Sequence, residues 1–245
     1  MSMGAAKKGA EVNAAYTPEY LARRRAWAGL FARDNFQEEE MVPLSGGYRL
    51  VTRSYAGVIN GCRLTGSRNI LWDRSGKRLG FFETHDDEGE FAEIISHRNG
   101  REYLIFRREL YGYSVLDLHS GEEFHFVPRA MLEGRETFIW TGVCYNPENN
   151  ILAVSGCFWA CPWGTLLLDF SNPMTETGWV DIHAALDAGY ERYDDMEFRM
   201  WRGTDLILDC RNQRDGQVEE VVLERTAYEA WLRAIKEGRS VCRTK

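Results

Sequence analysis

The sequence predicts an all-β fold made of repeated four-stranded antiparallel units. Between residues 48 and 224, short apolar runs of about 4–8 residues alternate with turn-forming residues, which is the pattern of β-strands. An acidic residue follows an apolar run once in each unit, at Asp73, Asp117, Asp169 and Glu224. These residues are 44, 52 and 55 positions apart, a spacing typical of propeller-type arrays with four strands per unit.

Helices are predicted at both ends of this array. Thr17, Pro18 and Glu19 give an N-cap, a proline at the first helical position and an acid in the first turn, so a helix is expected over 18–33. Thr226 and Glu229 have the spacing of a capping box before a helix over 227–237. A short third helix is expected over 182–187, and no others.

Within the array, a hairpin precedes the acidic residue in each of the last three units. These hairpins span 92–106, 138–154 and 196–208, and each contains a turn rich in Gly, Asn, Asp or Pro. The first unit, from Tyr48, is the least regular. One such sheet cannot bury both of its faces, so neighbouring sheets are expected to stack on each other.

These units resemble those of the WD40-like propellers. Trp72-Asp73 stands where that family has its Trp-Asp dipeptide, and Leu116-Asp117 and Leu168-Asp169 are similar to it. The resemblance covers about residues 48–224 and implies an architecture of radially arranged sheets. No Gly-His dipeptide opens any unit, so no functional residue is carried over from the family. An antiparallel sandwich with Greek-key connections is the alternative fold.

Composition narrows the class of protein. Residues 1–16 are expected to be a disordered lead-in without a secretory h-region, and 17–245 a single domain. No apolar run reaches the roughly 20 residues that a membrane helix needs. The net charge of −7 argues against nucleic-acid binding. With six scattered cysteines, we expect a cytoplasmic protein with reduced thiols.

The segment 157–164 has the most unusual composition in the chain. Cys157 and Cys161 are separated by three residues, but no second cysteine pair exists, so neither a metal nor a cofactor is expected. Phe158, Trp159 and Trp163 cluster on one predicted loop. Such aromatic residues are either a plug over the core or an anchor for a partner.

Equivalent loops of the other units are expected to lie on the same face of a propeller. They add polar and aromatic candidates for partner binding: Arg107, Arg108, Tyr111, Arg211, Arg214, Asp86 and Asp87. Arg, Tyr and Trp are enriched at interface hot spots, so we expect a non-catalytic protein-binding module, either an adaptor or an immunity-type binder. No nucleophile elbow, His-Glu-x-x-His or phosphate loop appears in the sequence.

Two further classes of function are compatible with the sequence. One is a hydrolase that uses acidic residues in a central channel, although no catalytic residue can be named. The other is a structural oligomer subunit, in which Trp27 or Trp231 faces a second copy of the chain.

Overall fold

The sheets of the computed structural model confirm the all-β prediction. The structure describes residues 11–85, 91–159, 162–186 and 189–239. Within these ranges the chain forms four antiparallel sheets, three of four strands and one of three, and helices flank them at both ends. Every strand pairs with its neighbour in sequence, so each sheet is a simple meander.

The fifteen strands fall into four consecutive groups. The first sheet contains β1 (Phe36–Pro43), β2 (Arg49–Ile59), β3 (Cys62–Trp72) and β4 (Arg78–His85). The second contains β5 (Ala92–Ser96), β6 (Glu102–Phe106), β7 (Tyr113–Asp117) and β8 (Glu123–Phe126). The third contains β9 (Phe138–Asn146), β10 (Ile151–Phe158), β11 (Trp163–Asp169) and β12 (Trp179–Asp181). The fourth contains β13 (Tyr193–Arg202), β14 (Asp205–Asn212) and β15 (Val218–Leu223).

The described residues contain five α-helices. They are α1 (Pro18–Trp27), α2 (Arg129–Leu132), α3 (Ile182–Ala185), α4 (Gly189–Arg192) and α5 (Arg225–Lys236). Thr17 caps α1 as predicted, because its hydroxyl accepts a hydrogen bond from the Tyr20 amide. Two 3-10 turns, Ala28–Phe31 and Arg33–Asn35, replace the last part of the predicted first helix.

Two expectations about the helices are wrong. The one-turn helices α2 and α4 lie outside the three predicted segments. The capping box at the last helix does not form, because α5 already begins at Arg225. The Arg225 amide instead donates to Asp205 at 3.3 Å. The predicted stop is correct, since Gly238 adopts a φ of 69° just after the helix.

The repeated acidic residue has a structural role in three of the four units. Asp73, Asp117 and Asp169 each lie at the end of the third strand of their sheet. In each case the carboxylate accepts a hydrogen bond from the amide two residues later, at 2.8, 2.8 and 3.0 Å. These bonds close the turn that follows, as Asx turns do. Glu224 occupies the equivalent position in the fourth sheet, but it precedes α5 instead of a fourth strand.

The first sheet has the predicted four strands but includes one that the sequence interpretation missed, and the last sheet has three strands instead of four. The sequence interpretation began the first unit at Tyr48 and missed β1, which is solvent-exposed along nearly its whole length. An exposed edge strand lacks the apolar pattern by which strands are recognised. In the last sheet the chain continues from β15 into α5, where a fourth strand was expected. Its Tyr228 and Leu232 pack into the core formed by the third and fourth sheets.

The chain divides into two compact units. Residues 13–142 and 173–175 form the first, and residues 143–172 with those from 176 onward belong to the second. The core of the first unit joins its two sheets through Leu50 and Leu71 on one side and Leu104 and Phe106 on the other. The core of the second unit joins β10 and β11 to β14 and α5. The single domain over 17–245 stays a prediction.

The predicted disorder of residues 1–16 does not extend to residues 13–16. Asn13 pairs with Pro128, and the Ala14 amide donates to the Val127 carbonyl at 2.7 Å. Ala14 and Ala15 are buried beside this strand extension. Their small side chains allow the close approach, which composition alone did not indicate. Residues 1–10 lie outside the described part of the chain.

Candidate functional site

The candidate site lies in the second unit, at the end of the β10–β11 hairpin. These strands pair in continuous register from Ile151↔Asp169 to Cys157↔Trp163. Apart from its first residue, β11 is almost entirely buried, so it fixes the hairpin against the core. Trp159, just beyond β10, has a φ of 45°. A bulky residue rarely adopts this left-handed conformation, and such strain is concentrated at functional positions.

Both tryptophans of this hairpin project into solvent. Trp159 is 54% exposed and Trp163 is 40% exposed, whereas Phe158 is half-buried. A plug over the core would bury both indoles, so the exposure favours the anchor interpretation of this loop. Ala160 and Cys161 lie outside the described residues, and so does the predicted reduced state of the Cys161 thiol.

The Asp195 carboxylate joins the hairpin to the neighbouring sheet. Its Oδ1 accepts a hydrogen bond from the Trp163 amide at 3.0 Å, and its Oδ2 lies 3.3 Å from Arg211 Nε. Asp195 lies at an irregularity in the β13–β14 register, directly opposite Arg211. The Thr165 hydroxyl also donates to the Met196 carbonyl at 2.9 Å. Trp163 and the predicted Arg211 are therefore held together through Asp195.

A third exposed aromatic residue lies at this same end of the second unit. Tyr190, on α4, is about half exposed and stacks on the His183 ring at 4.8 Å. Its hydroxyl donates to Asp181 at 2.8 Å, and its carbonyl accepts from Gln213 at 2.9 Å. His183 is buried, and this burial lowers the pKa of its imidazole. The pair is a rigid support next to the hairpin.

Arg214 occupies the turn between β14 and β15. Its side chain is exposed, and its amide donates to the Asn212 side chain at 3.0 Å. Cys210, near the end of β14, is buried, and burial raises the pKa of its thiol to about 12. A thiol with so high a pKa is not ionised at neutral pH and is therefore unreactive. Cys210 has a packing role here.

The candidates from the second sheet do not form an exposed patch. Arg107 is only 5% exposed, and its guanidinium lies 6.0 Å from the Phe91 ring. Arg108 is mostly enclosed and places its Nη1 2.8 Å from His125 Nε2. Arg107 is therefore buried and does not form part of an exposed flank, whereas a role of Arg108 in partner binding stays a prediction.

Tyr111 and the acidic loop have different outcomes. Tyr111 is half-buried against a small cluster formed by Ala15, Tyr20, Val127 and Met131. It therefore supports the N-terminal segment instead of presenting a free face. Asp86 and Asp87 lie outside the described residues.

A buried polar network lies between α1 and the second sheet in the first unit. Glu109 accepts hydrogen bonds from the Tyr20 hydroxyl and from Arg24 Nη1, each at 2.8 Å. Burial raises the pKa of the Tyr20 phenol, and the Glu109 charge adds to this effect. His85 lies nearby under the rings of Trp27 and Phe31. Burial and neighbouring arginines lower the pKa of the His85 imidazole to about 3.

One arrangement in the first unit is similar to a proton relay. The Ser114 hydroxyl lies 2.9 Å from His125 Nδ1, and Glu123 lies 3.1 Å from His125 Nε2. Ser114 is only 2% exposed, so a substrate cannot reach its oxygen. The Arg108 guanidinium also faces Nε2, and burial lowers the pKa of His125. The arrangement holds the strands together and has no accessible nucleophile.

Within the described ranges, no cluster of three or more His, Cys, Asp or Glu side chains could hold a metal ion. No helix there is both long enough and apolar enough to cross a membrane.

Sequence interpretation missed Tyr190 and His183 because each stands alone in its segment. A search for exposed aromatic residues near an irregular strand would have found Tyr190.

Comparison with known proteins identifies no family for this chain. A stretch of 123 residues is 33% identical to an uncharacterised protein of Acanthamoeba polyphaga mimivirus. The match covers 46% of this chain and 45% of the viral protein, so the similarity spans less than half of that relative. No family model matches the sequence, and no solved structure is significantly similar to it.

Proposed function

We propose that this protein is a non-catalytic binding module that holds a protein partner through the tip of the β10–β11 hairpin. The observation that carries the proposal is the solvent exposure of Trp159 and Trp163, at 54% and 40%, on a hairpin fixed by a buried strand. Tryptophan is the residue type most characteristic of interface hot spots. Two exposed indoles on one rigid hairpin are costly to leave in water.

The surroundings of the indoles supply polar contacts for a partner. Arg211 Nε is directed at Asp195, and the other donors of its planar guanidinium remain for hydrogen bonds to a partner. Tyr190 adds an aromatic surface whose position is fixed by His183 and Asp181. An interface with aromatic anchors and a charged rim has the composition of protein-binding sites.

The charge of the chain favours a basic partner. The whole sequence carries a net charge of −7, and the fourth sheet contains acids on each of its strands. Charge complementarity of this kind raises association rates and selects against acidic competitors. An immunity-type protein that neutralises a basic enzyme has this character, as does an adaptor for a basic protein.

We propose a propeller-like ring as the architecture of this module. The four meanders and the repeated turn acids are the local features that such a ring requires. In that arrangement the tip of the β10–β11 hairpin would lie on one loop face of the ring. We place the protein in the cytoplasm as part of the same proposal, because Cys62 and Cys210 are free thiols.

The test is affinity purification from extracts of the source organism with matched variants. Wild type and Met200→Ala should retain the same stoichiometric partner, while Trp159→Ala and Trp163→Ala should lose it. Met200 is the control because it is an exposed apolar residue on β13, away from Asp195. With purified partner, each tryptophan variant should bind about 30-fold or more weakly, the hot-spot scale of about 2 kcal/mol. Equal retention by all four proteins would refute the site.

A further inference from the structure

The first sheet carries a row of four charged residues directly opposite one another. Glu39 of β1 pairs with Arg53 of β2, which pairs with Arg68 of β3, which pairs with Glu83 of β4. Each arginine binds its outer neighbour through Nε: Arg53 to Glu39 at 2.5 Å and Arg68 to Glu83 at 3.0 Å. The two arginines therefore lie side by side in the middle of the row.

Like charges directly opposite each other destabilise a sheet, so this arrangement has a cost. Both guanidinium groups remain partly exposed, at 47% for Arg53 and 38% for Arg68. Glu83 is shared, because its carboxylate also lies 3.9 Å from Arg24 Nη2. The centre of the row is consequently a pair of adjacent, partly exposed arginines, each bound to one carboxylate, in a chain that is acidic overall.

An open groove of about 380 Å³ lies over this pair. Its lining contains three arginines, Arg33, Arg53 and Arg68, against a single acid, Glu39. Because Glu39 pairs with Arg53 and Glu83 pairs with Arg68, Arg33 leaves one surplus positive charge at the groove, which favours an anion. A groove of this volume lies at the lower end of the range for small-ligand sites.

Aromatic rings form the rest of the groove lining. Phe31 and Tyr55 meet edge to face at 5.3 Å, and Phe36 meets Tyr55 at 5.9 Å. The Arg68 guanidinium lies 4.9 Å from the Phe31 ring centroid and is further held by the Phe31 carbonyl at 3.4 Å. Arg68 is therefore preorganised, while the Phe36 ring is largely exposed and can pack against a planar ligand.

We propose that this groove binds a small aromatic phosphate monoester. The phosphate lies between Arg53 and Arg68, and the aromatic ring of the ligand packs on Phe36. A phosphate monoester carries close to two negative charges and three acceptor oxygens at neutral pH, so it can bind two guanidinium groups at once. A carboxylate offers only two acceptor oxygens, so it can satisfy fewer of the guanidinium donors. This site is in the first unit and is independent of the tryptophan hairpin.

Isothermal titration calorimetry of the full chain with three probes tests the proposal. Phenyl phosphate should bind at least tenfold more tightly than inorganic phosphate, and uncharged benzyl alcohol should show no saturable binding. Arg53→Gln should weaken phenyl phosphate about tenfold, since one charge-assisted pair is lost. Phe36→Ala should weaken phenyl phosphate several-fold and leave inorganic phosphate unchanged.

Arg199→Gln is the matched control. Arg199 is also a half-exposed strand arginine that binds acids, at 3.2 Å from Glu220 and 3.5 Å from Asp209, but it lies on the fourth sheet. Equal weakening by Arg199→Gln, equal affinity for inorganic and phenyl phosphate, or no saturable phenyl phosphate binding would each overturn the proposal. If a thermal melt shows that Arg53→Gln is unfolded, Arg33→Gln at the exposed rim replaces it, and the loss of one positive charge from the groove should weaken phenyl phosphate several-fold.

Discussion

The Tyr20 hydroxyl donates a hydrogen bond to Glu109 Oε1 at 2.8 Å and so connects the first helix to the second sheet. Arg24, one turn further along α1, binds the same carboxylate oxygen at 2.8 Å. Glu109 is almost completely buried, and its position 89 residues from Tyr20 makes this a long-range contact. A buried carboxylate needs such partners, because an unpaired charge in the interior is costly.

Replacing Glu109 should therefore be strongly destabilising. Glu109→Gln leaves the Arg24 guanidinium without its closest counter-charge, and breaking a buried ion pair costs about 3–5 kcal/mol. We expect a loss of that size in the free energy of unfolding, measured by urea titration. Glu229→Gln is the control, since Glu229 forms a half-exposed helical pair with Arg225 at 2.6 Å. That change should cost less than about 1 kcal/mol. Similar losses in both variants would contradict the role of burial.

The imidazole of His85 should make stability depend on pH. Its folded-state pKa of about 3 lies below the ordinary value of 6.5, mainly because of burial and then because of Arg24 and Arg108. Below pH 6.5 the unfolded chain binds a proton that the folded chain does not, so stability falls as the pH decreases from 6.5 towards 3. Between pH 7 and pH 5 this residue should remove about 2 kcal/mol from the free energy of unfolding.

His85→Gln tests that dependence, because glutamine does not titrate. The variant should lose about 2 kcal/mol less than wild type on going from pH 7 to pH 5 in urea titrations at each pH. His119→Gln, which alters an exposed histidine just after β7, should behave as wild type does. A His85→Gln profile that runs parallel to the wild-type profile would show that His85 is protonated in the folded protein.

The sequence was sufficient to predict the meander of each sheet. Asp73, Asp117 and Asp169 follow third strands in the structure because the carboxylate and the turn that it closes are local features, visible within five residues. The same locality explains the correct N-cap at Thr17 and the correct stop at Gly238. Features that depend on a few neighbouring residues can be inferred from one sequence.

Features set by long-range packing were not predictable. Nothing near Arg107 in the sequence indicates that its side chain is buried, and nothing near Asp195 indicates that it binds Trp163, 32 residues away. The edge strand β1 escaped detection because its residues face solvent on both sides and so lack an apolar alternation. The opposed pair Arg53 and Arg68 becomes visible only when the strand register is known.

Gly112 should be one of the positions most sensitive to substitution. It adopts a φ of 89°, and an added Cβ would lie 2.2 Å from the Phe126 carbonyl oxygen. Gly112→Ala should therefore lower the free energy of unfolding by clearly more than the roughly 1 kcal/mol that a left-handed alanine costs. Gly121→Ala is matched to it, with a φ of 75° and no atom within 4 Å of the added Cβ. Thermal melts should show a much larger decrease for Gly112→Ala, and equal decreases would exclude the steric contribution.

Trp159→Gly should separate binding from folding. The indole is largely exposed, so its removal loses little buried area, and glycine adopts a φ near 45° without the strain that tryptophan bears there. Relief of the backbone strain stabilises the folded protein, whereas the greater entropy of glycine stabilises the unfolded chain. Because the two effects oppose each other, the free energy of unfolding should change by less than about 1 kcal/mol. Trp140, which is buried, is the reference, and Trp140→Ala should lose about 3–5 kcal/mol in the free energy of unfolding.

If the hairpin is the binding site, Trp159→Gly should also lose partner affinity about 30-fold while its melting temperature stays within a few degrees of wild type. A melting temperature as low as that of Trp140→Ala would instead show that the Trp159 side chain is needed to hold the hairpin in place.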